Sequence, residues 1–87
     1  MGEVGNRITE TLNETFMPST LEVMDESDQH KSHAGAREGG ESHFRIRISA
    51  TAFAGLSRVD IHRAINQALA AELAGPVHAL AIEAKSA

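Results

Sequence analysis

His43-Phe44-Arg45-Ile46-Arg47-Ile48 alternates apolar side chains with polar or charged ones, the period of a strand that turns one face to a core and the other to water. Leu21 and Val23 repeat the pattern between Thr20 and Glu22. Two half-buried strands therefore flank a single connection, and their closeness along the chain predicts an antiparallel pair. The connection, residues 27–41, holds three glycines in fifteen residues and shows no apolar period. Loops of that length within compact domains are uncommon and usually functional or disordered, which makes this segment the first place to look for a site.

Upstream, Val4, Ile8, Leu12 and Phe16 recur every four residues among polar neighbours, the pattern of an amphipathic helix that Met17-Pro18 ends. Downstream, Phe53-Ala54-Gly55 reads as a turn, and Ser57, followed three residues later by Asp60, as a helix N-cap. Ile61, Ile65, Ala68, Leu69 and Leu73 line one helical face from there until Gly75-Pro76 stops the helix. Val77 to Ala84 reads as a third, well-buried strand with His78, Leu80 and Ile82 on one face. The order is α-β-β-α(α)-β, an α+β class. The helical connection is long enough for a right-handed crossover, which makes the last strand parallel to a neighbour and packs the helices on one sheet face. The whole chain, 1–87, is read as one domain with its core between residues 7 and 84.

Composition removes several functions. With no cysteine, this chain can supply neither a thiolate nucleophile, nor a zinc finger of its own, nor thiolates for a cluster. No apolar run of about 18 residues is present to span a membrane, and no basic-then-apolar leader opens the sequence, so a cytoplasmic location and no membrane association are expected. The charge of −4 is unevenly spread, nine acids against three bases up to Phe44 and five bases against three acids from Arg45 onward. An acidic total opposes sequence-independent attachment to phosphate backbones, but Arg45, Arg47, Arg58 and Arg63 leave a basic stripe in the second half.

Read together, Val23-Met-Asp-Glu-Ser27, Ser42-His43-Phe44, Phe53-Ala54-Gly55, and Ala70-Ala-Glu-Leu73 followed by Val77-His78-Ala79-Leu80-Ala81 resemble the BolA family over nearly the whole chain. The resemblance implies a class II KH-like fold, α-β-β-α-α-β, with a three-stranded mixed sheet. It also implies that the single helix read above is divided into a short helix near Arg58 and a longer one through Leu73. As function it implies partnership with a monothiol glutaredoxin and a shared 2Fe-2S cluster, in iron-sulfur trafficking or iron sensing, with no enzymatic activity. The family's cluster-ligating histidine falls on His78. Its loop ligand maps onto His30, with His33 as the alternate. The usual Arg-His-Arg of the helix is Ile61-His62-Arg63 here.

The ligand count is consistent with that reading. A 2Fe-2S cluster takes four ligands, and two imidazoles can replace two thiolates on one iron. This chain offers imidazoles and no thiolate. By the resemblance, a glutaredoxin cysteine and a glutathione sulfur complete the set, and the isolated chain is a cluster-free monomer. His43 and His62 are read as strand-end and helix-surface residues outside the ligand set.

Two other functions compete. A KH-like nucleic-acid-binding transcriptional regulator would use Arg45, Arg47, Arg58 and Arg63 on phosphates, with weak affinity expected. It lacks the Gly-x-x-Gly clamp, since Leu56-Ser57-Arg58 follows Gly55, and it has no Trp or Tyr for stacking. A hydrolase or reductase built on Ser27, Asp28 and His30 would need a fixed geometry that a mobile loop lacks.

Overall fold

The computed structural model describes residues 2–27 and 41–87. Within them lie helix α1 (Glu3–Phe16), strands β1 (Thr20–Asp25) and β2 (His43–Ala50), a 3-10 turn (Thr51–Phe53), helices α2 (Arg58–Ala68) and α3 (Ala70–Ala74), and strand β3 (Ala79–Ser86). The strand order is β1-β2-β3. β1 pairs antiparallel to β2, with Val23 opposite Ile46 and Leu21 opposite Ile48. β3 pairs parallel to β2, with Ile82 beside Ile46. The fold is the expected α+β arrangement with a mixed sheet.

β2 is the central strand, and its Phe44, Ile46, Ile48 and Ala50 are all buried. Val4, Ile8 and Leu12 of α1 and Ile61, Ile65 and Leu69 of the second helical segment complete the core around them. Val4 already belongs to the core, because α1 starts at Glu3. Phe16 leans on Phe53 with ring centroids 5.0 Å apart and planes at 56°, a tilted aromatic contact that ties the end of α1 to the turn after β2.

The turn signals are realised in the backbone. Met17 ends α1 in the left-handed region at φ 47°, and Gly55 sits at φ +80°, a conformation that glycine adopts without a side-chain clash. Ser57 caps α2, its Oγ accepting from the Asp60 N–H at 3.1 Å.

Three expectations change. The longer of the two helices comes first, eleven residues in α2 against five in α3. The division between them is slight, since Leu69 N–H still donates to Ile65 O and Leu73 N–H to Leu69 O, both at 3.0 Å. The third strand begins two residues later than read, at Ala79. Val77 is buried but precedes the ladder, its N–H donating to Glu72 O at 2.9 Å. Finally, β3 is an edge strand whose residues are exposed or half-buried, although Leu80, Ile82 and Ala84 do pack on the core.

Candidate metal centre

His78 lies on the short segment between α3 and β3, and its backbone is tied down. Its N–H donates to Ser42 O at 2.7 Å, and the same carbonyl takes the Ala79 N–H at 3.2 Å. The residue before it, Val77, is 2% exposed. The His78 side chain itself is exposed. A fixed backbone with a solvent-facing imidazole is what a ligand to a centre carried by another molecule requires.

Beside it stands His43, the first residue of β2, with ring centroids 5.2 Å apart and planes at 51°. Strand parity places His43 on the open sheet face, yet it is buried. Its Nδ1 lies 2.9 Å from Ser42 Oγ. Ser27 Oγ accepts both the Ser42 N–H at 2.9 Å and the His43 N–H at 3.2 Å. Ser27 and Ser42 are both buried, so one hydroxyl satisfies two donors that would otherwise lose water without replacement. Asp28 and His30, which the hydrolase or reductase reading joined to Ser27, lie outside the described residues.

The two ends of the long loop meet at the same place. Asp25 takes the Ser27 N–H on Oδ1 at 2.9 Å and the Glu41 N–H on Oδ2 at 3.0 Å, so one carboxylate clamps the residues on either side of 28–40. Burial pushes the Asp25 carboxyl up, but the hydrogen bonds from Ser27 and Glu41 and the nearby His43 outweigh it and hold it below its usual range. Glu41, at φ 61°, turns its carboxylate to the start of α1 and accepts the Gly5 N–H at 2.9 Å. This supplies the cap that Gly2 lacks, at the end of the helix where negative charge is favoured.

His30 and His33 lie outside the described residues. Among those described, no three His, Asp or Glu side chains stand together to hold a metal ion. The donor chemistry fits a shared centre: an anchored, exposed imidazole on a chain that has no thiolate to complete a cluster. His62 is half-buried on α2, at the far end of the sheet from His78.

The arginines divide between two environments. Arg45 donates to Glu26 and to Glu83, each at 2.9 Å, and Arg47 approaches the same Glu83 oxygen at 3.4 Å. Arg63 lies 3.8 Å from Asp60, and Arg58 makes no ion pair among the described residues. A groove of about 610 Å³ brings Arg47, Arg58 and Lys85 together with Glu22 and Glu83. Arg45 and Arg63 do not line it, and Lys85 joins a cluster in which the sequence reading did not place it.

Among the described residues no helix is long and apolar enough to cross a membrane. The family model described as BolA-like protein matches residues 12–87. Human BolA-like protein 1 is 42% identical over 86 residues, covering 99% of this chain and 60% of that protein. The DNA-binding transcriptional regulator BolA of Vibrio cholerae is 45% identical over 75 residues, covering 86% of this chain and 67% of that one. The chain thus spans about three-fifths of the length of its mammalian relatives. Among solved structures, the BolA domain of SufE1 from Arabidopsis thaliana superposes with a TM-score of 0.88 at 44% identity, over 99% of this chain and 94% of that one. The sequence motifs, the α-β-β-α-α-β order and these matches agree, and the chain belongs to the BolA-like family.

Proposed function

We propose that the chain is an adaptor that binds a monothiol glutaredoxin and contributes His78 to a bridging 2Fe-2S cluster, with His30 as the loop ligand and His33 as its alternate. The observation that carries this reading is the anchored backbone and exposed ring of His78. A second observation supports it. Both ends of the loop are clamped by Asp25, and Ser27 accepts from the N–H of Ser42, which is His78's own backbone anchor, and of His43. His30 follows three residues after Ser27 in the sequence.

In such a centre the cluster supplies electron storage and a transferable iron-sulfur unit. The chain's residues do the holding. His78 would present a ring nitrogen from its fixed backbone, and His30 would supply the second imidazole. An imidazole binds iron only in its neutral form, so acid, which protonates it, loosens such a site.

The test is anaerobic co-purification with a monothiol glutaredoxin, followed by visible absorption and circular dichroism. A mixed complex with a charge-transfer spectrum distinct from that of the glutaredoxin's own cluster is the expected result. Two proteins that elute apart, or a complex carrying an unaltered glutaredoxin spectrum, would contradict it.

A nucleic-acid-binding function, as the name of the Vibrio cholerae relative states for that protein, has one observation in its favour: the groove that gathers Arg47, Arg58 and Lys85. Against it, Arg45 and Arg47 are engaged by Glu26 and Glu83 within the chain, and Glu22 and Glu83 line the same groove. A phosphate backbone would have to compete with carboxylates already in place.

A further inference from the structure

We infer that His43 is a positioning residue for His78, held by Ser42 and Ser27 so that its ring forms a fixed wall against which the exposed imidazole rests. The inference deepens the shared-cluster reading and rests on it for its consequence, though not for its geometry.

Among the described residues, four contacts help to fix the wall. The His43 N–H donates to Ser27 Oγ at 3.2 Å, and the His43 carbonyl accepts the Glu26 N–H at 2.8 Å. Its Nδ1 lies 2.9 Å from Ser42 Oγ, which sets the ring's rotation. Its Cα partner in the parallel ladder is Ala79, the residue after His78. With the residue only 8% exposed, the ring has little freedom to swing away.

Against this wall the His78 ring packs at a centroid distance of 5.2 Å and a tilt of 51°, within the range of a tilted aromatic contact. Ser42 serves both rings. Its hydroxyl holds His43, while its carbonyl takes the His78 N–H at 2.7 Å. The backbone of one imidazole and the ring of the other thus share a single anchor. An exposed histidine ordinarily samples several rotamers, and ligating a metal then costs the entropy of choosing one. The wall makes that choice before any centre binds. Because one His43 nitrogen is taken by Ser42 and the ring is buried, the geometry gives His43 the part of a support and not of a ligand.

The test uses the full chain in two states. In the cluster-free protein, three-bond couplings at His78 report its rotamer population. In the anaerobic mixed complex with the glutaredoxin, the decay of visible absorption reports cluster lifetime. His43→Ala is expected to spread His78 over several rotamers and to shorten the cluster lifetime by about tenfold, the lower range for loss of a ligand's supporting partner. His43→Phe, which keeps a flat ring on the strand, is expected to restore most of the rotamer bias and bring the lifetime to within about threefold of the parent. Ser42→Ala, which frees the His43 ring without removing it, is expected to fall between, and it carries the comparison if His43→Ala fails to fold. An unchanged His78 rotamer population in folded His43→Ala and Ser42→Ala overturns the inference. If the parent chain forms no mixed cluster while His43→Ala still loosens His78, the positioning stands and the shared-cluster reading falls. If the parent forms the cluster and neither rotamer nor lifetime responds to His43→Ala, the reverse holds.

Discussion

At one end of the sheet, where β1 finishes and β2 and β3 begin, Ser27, Ser42 and His43 are buried and bond to one another and to the backbone. At the other end, Arg47 and Glu83 are exposed around an open groove, and Arg47 meets Glu83 across water-accessible surface. The same three strands supply both. The difference lies in solvent. A buried hydroxyl that accepts two N–H groups has no substitute when removed, whereas exposed ion pairs trade readily with water and salt. The first end can hold a side chain in one orientation, and the second can only offer charge.

That contrast fixes the order of the expected effects. Ser27→Ala leaves the Ser42 and His43 N–H groups without their acceptor in the interior and is expected to lower stability by about 2–3 kcal/mol, read from denaturant melts. Arg47→Ala, at the open end, is expected to change stability by less than about 0.5 kcal/mol. Equal effects of the two would erase the distinction between the ends.

Asp25→Asn sharpens the same point through pH. The Asp25 carboxylate is held below its ordinary value of 3.8, so the stability it contributes is present above that value and lost as pH falls through the lower, folded one. At neutral pH the substitution is expected to cost about 1 kcal/mol, since the amide can accept from only one of the two N–H groups that the carboxylate serves. The difference in melting temperature between parent and variant should therefore shrink below about pH 4. A difference that stays constant from pH 7 to pH 3 would mean that the loop clamp does not depend on charge.

At the open end the expected effect is smaller and falls on binding. Any affinity for duplex nucleic acid should be weak and steeply salt-dependent, because few cations among the described residues are free of intramolecular partners. Glu83→Gln, which weakens the hold on Arg45 and Arg47, is expected to strengthen it by about twofold to fivefold in fluorescence anisotropy at low salt. Tight binding near physiological salt that ignores Glu83 would make the groove, and not His78, the functional end.

Much of the fold could be read locally. The alternation through Phe44, Ile46 and Ile48 and the four-residue repeat of Val4, Ile8, Leu12 and Phe16 are set by each segment's own period, and both elements form where that period runs. The start of β3 could not be read so. Val77 is apolar and buried like a strand residue, but its N–H turns back to Glu72, and only the tertiary fold decides that. The motif points to His78 as a candidate ligand, whereas nothing in the sequence points to the burial of His43. Parity predicts an outward residue there, yet His43 is buried and meets Ser27, sixteen positions away, and His78 on another strand's approach. The Glu41 cap on α1 is hidden for the same reason, being thirty-six residues from Gly5.

The shared-cluster account is tested most directly by His78→Ala against His30→Ala in the mixed complex with a monothiol glutaredoxin, with the visible spectrum and lifetime of the cluster measured anaerobically and the melting of each free chain as control. His78→Ala is expected to abolish the mixed spectrum or shorten its lifetime at least about tenfold while the free chain melts within about 1 kcal/mol of the parent, since the side chain is exposed. His30→Ala is expected to do less, because His33 lies three residues away on the same loop. A mixed cluster whose spectrum and lifetime are unchanged by His78→Ala would contradict the account.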